Sequence, residues 1–71
     1  MVDDLPALLA RWRRFRRALG VDDHAAMDRV IAAAERRGTA LARVIDDPLE
    51  AALVAVLVEL VQEADRRAAL A

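Results

Sequence analysis

Residues 47–61, DPLEAALVAVLVELV, decide how this chain folds. Asp47 is a good N-cap, Pro48 suits the first helical position, and Glu50 three residues on completes a pattern like a capping box. Eight residues without a polar side chain follow, Ala51 to Val58. The Val-rich run 54–61 has strand propensity, but its cap and its long periodic frame favour a helix continuing to near Ala68. At 100° per residue the large apolar side chains sweep roughly 200° of helix surface, about twice the stripe an ordinary surface helix buries. The arc divides into two adjoining stripes. Leu49, Leu53, Val56 and Leu60 are expected to meet the chain's other helices, and Val54, Leu57, Val58 and Val61 to meet another subunit. The opposite side, Ala51, Ala52, Ala55, Glu59 and Gln62, is small or polar enough for water or for close approach.

Working toward the N-terminus, Gly38 and Gly20 read as left-handed helix stops. They define a first helix from Asp3 or Asp4 to Leu19 and a second from Asp22 or Asp23 to Arg37. Thr39 caps a short helical turn, Ala40 to Ile45. In the first helix Leu5, Leu8, Leu9, Trp12, Phe15 and Leu19 share one face, so both aromatics are expected in the core. The second carries only a thin stripe, Met27, Val30, Ile31 and Ala34. The expected fold is all-α: a small helical bundle of three main helices plus a short helical turn, forming one domain over residues 1–71.

Composition explains why assembly is expected. Of 71 residues, 58% are hydrophobic, but seventeen are alanine, leaving twenty-four larger apolar side chains. A core of this size rarely yields more than about 3–5 kcal/mol without a staple. There is no cysteine to cross-link, and His24 is the only histidine, so neither a disulfide nor a His-based metal site is available. Oligomerisation remains, and a homodimer forming a bundle of four or more helices is expected.

Met1 reads as an initiator, and the first twenty residues lack the apolar core of a secretory signal. The longest uncharged run is far short of the roughly 20 residues that span a bilayer, so a cytoplasmic protein without a membrane span is expected. All eleven basic residues are arginine, and the bias toward Ala, Arg, Val and Asp points to a GC-rich bacterial genome.

Net charge is −1, unevenly distributed: residues 1–19 sum to +3 and residues 20–71 to −4. The segment RWRRFRR, residues 11–17, concentrates the positive charge, with Arg13, Arg14 and Arg17 opposite the leucines and Arg11 at the flank. Arg11, Arg13, Arg14 and Arg17 are therefore candidates for binding an acidic protein partner or, alternatively, the phosphates of nucleic acid. The plainer reading is a solvated face whose arginines pair with Asp22, Asp23, Asp28, Glu59 or Asp65 of the same or a second subunit.

The nucleic-acid alternative draws on one further pattern. Ala34, Gly38 and Val44 have the A-x3-G-x5-V spacing that resembles a helix-turn-helix, with Gly38 at the turn and Val44 as the anchor of the second helix. Arg37 stands where that motif wants an apolar residue, Asp47 falls on a later core position, and Pro48 cuts the would-be recognition helix short.

Catalysis has little to work with. Serine, cysteine, lysine and tyrosine are absent, and Thr39 is the only side-chain hydroxyl. His24 therefore has no nucleophile to activate. Glu59 and Glu63, one turn apart, could share a cation, but the paired E-x-x-E and E-x-x-D pattern of all-helical nucleotide pyrophosphohydrolases is missing, as is the Glu-x-x-His of ferritin-like proteins. No catalytic residue, metal ligand or cofactor is assigned. The expected role is a non-enzymatic, oligomeric interaction or regulatory module.

Overall fold

In the computed structural model, which describes residues 4–71, three helices follow one another: α1 (Leu5–Arg16), α2 (Val21–Leu41) and α3 (Pro48–Leu70). No strand occurs among the described residues, and no helix there is long and apolar enough to cross a membrane.

α1 starts at Asp4, whose Oδ1 accepts a 2.9 Å hydrogen bond from the Ala7 N–H, with Pro6 in the first turn where its missing donor costs nothing. The alternative start, Asp3, lies outside the described residues. The helix ends at Arg16, three residues before the expected Leu19. The Arg17, Ala18 and Leu19 amides each bond three residues back, tightening the chain into a turn. Leu19 consequently leaves the leucine face and stands 38% exposed, and Phe15, in the last turn of α1, stands 46% exposed, a correction to their expected burial. His24 Nε2 lies 3.2 Å from the Leu19 carbonyl. A carbonyl only accepts, so this ring nitrogen carries the proton and ties the turn to α2.

Neither glycine is a left-handed stop. No residue with positive φ occurs among the described residues, and Gly20 is the extended N-cap of α2 at φ −63°, ψ 155°. α2 runs unbroken through Gly38, so the short helical turn capped by Thr39 does not exist as a separate element. Gly38 serves close approach instead. A Cβ there would stand 3.0 Å from Leu5 Cδ2 and 3.4 Å from Cδ1. The chain leaves helix only after Leu41, turning through residues 42–47.

α3 begins as its sequence demands. Asp47 Oδ1 accepts from the Leu49 N–H at 3.0 Å, and Pro48 takes the first position. The return bond from Glu50 that would complete a capping box is not among the hydrogen bonds of the described residues. The helix runs to Leu70, two residues past the expected end.

The core forms where α1 lies over the α2–α3 pair: Leu5, Leu8, Leu9 and Trp12 from α1, Ile31 and Ala34 from α2, and Ala52 from α3. Met27, Val30 and Val56 pack at its edge. The α2–α3 seam itself is built from small side chains, with Ala34, Ala51, Ala52 and Ala55 all fully buried. Small residues let two helix axes approach toward the near end of the usual 8–10 Å. This reverses the expected assignment of α3. The alanine side, read as suited to water or to close approach, takes the second course and docks on the chain's own helices. Of the stripe expected to dock there, Leu49 and Leu53 face outward, Leu60 stands largely exposed at the edge of the α2–α3 cleft, and only Val56 packs against the core. Ala55→Leu is accordingly expected to wedge the two helices apart, costing about 1–3 kcal/mol. A urea midpoint measured against the wild type checks this; an unchanged midpoint would mean that the seam has slack.

Candidate functional site

The outward face of α3 carries a run of uncovered apolar side chains. Leu49, Leu53, Leu57, Val58, Leu60 and Val61 are exposed, Leu57 by 58%, and Val54 is half-buried. The four residues expected at an interface, Val54, Leu57, Val58 and Val61, come together with Gln62 around a shallow groove of about 290 Å³ whose accessible walls are apolar. Pairing α2 through alanines turns the bulkier half of α3 to the outside. A hydrophobic helix whose smallest side chains face inward leaves its largest ones unburied.

Surface and shape agree with an uncovered face. The chain's accessible surface is 5259 Å², whereas a compact monomer of its mass has about 4,400 Å². Its radius of gyration is 13.2 Å, against about 11 Å for a compact chain of this length. The thinnest dimension is 13 Å, so the helices have little depth in which to hide apolar side chains.

The arginines of α1 divide into two groups. Arg13 pairs with Glu35, and Arg16 holds Asp28 through Nε at 2.6 Å and Nη2 at 3.1 Å. Both pairs clip α1 onto α2. Arg11 instead lies over the Phe15 ring at 5.5 Å from its centroid, a cation–π contact that shields part of the exposed aromatic. Arg14 and Arg17 make no ion pair among the described residues. The candidate set Arg11, Arg13, Arg14 and Arg17 is thus not one surface. Arg13 is committed internally, Arg11 covers Phe15, Arg14 is exposed on α1, and Arg17, the C-cap of α1, borders the α1–α2 groove beside Arg13, Arg16, Asp28 and Glu35. Of the acids named as internal partners for these arginines, only Asp28 pairs with one among the described residues, Arg16; Glu59 pairs with Arg36 and Arg37 of α2 instead, and Arg13 takes Glu35, which was not named.

A second cluster spans α2 and α3. Arg36 donates to Glu59 through Nε at 2.8 Å and Nη2 at 2.6 Å, Arg37 Nε lies 3.5 Å from the same carboxylate, and Arg37 Nη2 donates to Gln62 at 2.6 Å. The bonds from Arg36 hold the Glu59 carboxyl below the ordinary carboxylate range, partly opposed by burial, and raise the Arg36 guanidinium in return. Glu63 is lowered likewise, first by Arg66 at 2.5 Å, with Arg67 at 3.3 Å beside it. Arg36, Glu59, Glu63 and Arg66 edge a cleft of about 410 Å³ whose apolar walls include Val30, Val56 and Leu60. Each glutamate already faces two arginines, so neither offers a free carboxylate pair for a cation. Among the described residues no group of three His, Cys, Asp or Glu side chains converges.

The sign of the pH effect follows from these shifts. A carboxylate lowered in the folded state stabilises the fold fully above its unfolded value, about 4.3, and loses that contribution as pH falls through the folded value. The urea midpoint is therefore expected to drop on acidification below about pH 4.5. Glu59→Gln should show a shallower drop; a variant with the wild-type pH profile would remove Glu59 from the account.

The helix-turn-helix spacing does not survive in three dimensions. Gly38 lies inside α2 rather than in a turn, and Val44, expected as a buried anchor, is 79% exposed in the α2–α3 connection. Its signal misled because the glycine serves Leu5, not a reversal of the chain.

No curated protein and no solved structure matches this chain. A family model described as Domain of unknown function (DUF8156) matches residues 1–70, and the chain belongs to that family.

Proposed function

We propose that this chain is a non-enzymatic assembly module that pairs with itself through the outward face of α3 and offers the α1 arginines to an acidic partner. One observation carries the reading: six large apolar side chains stand exposed along a single helix that already uses its other side for the chain's own core. Soluble monomers seldom leave so continuous an apolar surface open, and such patches mark interaction sites. The excess of about 900 Å² over a compact monomer is close to the roughly 800 Å² that each partner buries in a standard interface.

The non-enzymatic part is supported by what the polar residues are doing. Glu35, Asp28, Glu59 and Glu63 are each engaged by arginine, and the α2–α3 cleft contains no histidine or hydroxyl. The partner-binding part rests on Arg11, Arg14 and Arg17, which self-pairing through α3 leaves free on each copy.

Size-exclusion chromatography with light scattering at micromolar concentration tests the assembly. A multiple of 7.8 kDa is expected; a folded monomer would overturn it. Adding DNA or RNA at low salt separates the two partner classes. Retardation that collapses as salt rises would replace the acidic protein partner with nucleic acid.

A further inference from the structure

We infer that the occupant of the outward α3 face is a second copy of α3, laid antiparallel across a two-fold axis at Leu57, with Glu50 of each copy meeting the partner's Arg67. The inference rests on the self-association proposed above and specifies its geometry.

Three features of α3 select this arrangement. The first is spacing. Leu53, Leu57, Leu60 and Ala64 follow one another at intervals of four, three and four residues, the repeat of a helix–helix seam. Leu49, Val54 and Val61 flank them. The stretch from Leu49 to Ala64 has its midpoint beside Leu57, so an isologous contact about that residue maps the apolar stretch onto itself. Leu53 then opposes the partner's Val61, and Leu57 opposes the partner's Leu57.

The second is charge. The start of α3 is acidic, with Asp46, Asp47 and Glu50, whereas its end carries Arg66 and Arg67 alongside Glu63 and Asp65. A parallel pair would set the acidic starts on one another, with the two helix dipoles aligned. The antiparallel pair opposes the dipoles and moves each acidic start from its like to the mixed end that carries the arginines. Glu50 is the informative residue. It lies on the seam side of α3, is exposed, and makes no ion pair among the described residues. About the Leu57 axis it faces the partner's Ala64, one turn from the partner's Arg67. Arg67 is 73% exposed and bound to Glu63 only at 3.3 Å, free enough to reach across.

The third is length. α3 has 23 residues, about 34 Å, so two overlapped copies present a long contact.

Because the chain has no cysteine, single cysteines report the register directly. Leu57→Cys and Leu49→Cys proteins are each treated with a short bis-maleimide, and the two variants Leu53→Cys and Val61→Cys are mixed and treated alike. Expected are a linked dimer from Leu57→Cys, a linked heterodimer from the mixture, and none from Leu49→Cys, whose mate lies 16 residues or about 24 Å away along the helix. Equal linkage at Leu49 and Leu57 would mean parallel pairing and overturn the inference. A dimer by light scattering that links at neither Leu57 nor the 53–61 pair would overturn the register while leaving self-association standing. A monomer would remove both. Glu50→Arg and Arg67→Glu are each expected to weaken the dimer about tenfold, the contact occurring twice by symmetry. Their combination in one chain should restore affinity; no recovery would remove the cross-pair.

Discussion

Trp12→Ala should abolish cooperative folding. Trp12 is 7% exposed and sits in the cluster that joins all three helices, beside Leu8, Leu9, Ile31, Ala34 and Ala52. Truncating a buried tryptophan costs about 3–5 kcal/mol, as much as the whole stability expected of an unstapled core this small. Besides Trp12, only Leu5, Leu8 and Leu9 of α1 are buried in that cluster. The two clips of α1, Arg13–Glu35 and Arg16–Asp28, are solvent-exposed pairs, of the kind that contribute at most about 1 kcal/mol each. Far-UV circular dichroism should show a broad, shallow melt in place of a sigmoidal one. A sharp transition at the wild-type temperature would mean that α1 is not integral to the fold.

Leu57→Glu should act in the opposite way, sparing the chain and dissolving the assembly. Leu57 points away from α2, so a carboxylate there remains hydrated in the single chain. In the proposed pair it meets its own copy at the axis, burying two like charges in an apolar contact. An unpaired charge in such a site costs about 3–5 kcal/mol, enough to raise the dissociation constant by a thousandfold or more. Sedimentation equilibrium is expected to give 7.8 kDa with helicity near that of the wild type. A variant that stays dimeric would place the contact elsewhere on the molecule.

How far the sequence revealed this molecule depends on the kind of signal. α3 was legible at its start because capping is local: Asp47 and Pro48 act on amides one or two residues away. Gly20 and Gly38 were misread because a glycine's reason lies in what approaches it. Gly38 is needed by Leu5, thirty-three residues earlier in the chain, and nothing local distinguishes that need from a helix stop. The inversion of α3 has the same origin. Hydrophobicity says how much of a helix avoids water, and not which part meets which neighbour. The available clue was size matching. Ala34 and Gly38 on α2, with Ala51, Ala52 and Ala55 on α3, form small surfaces at three- and four-residue spacing that suit close packing. The excess of apolar surface on α3 was legible, and so was the grouping of Val54, Leu57, Val58 and Val61. The division among the arginines was not, since Glu35 lies 22 residues from Arg13.

The central claim is that a second copy of the chain covers the outward face of α3. An isotope-filtered NOE experiment on a sample mixed from labelled and unlabelled protein tests it most directly. Intermolecular contacts are predicted among the methyl groups of Leu53, Leu57, Leu60 and Val61, with Leu57 meeting its own counterpart. Intermolecular contacts confined to other surfaces, or none at a concentration where the chain is folded, would contradict it.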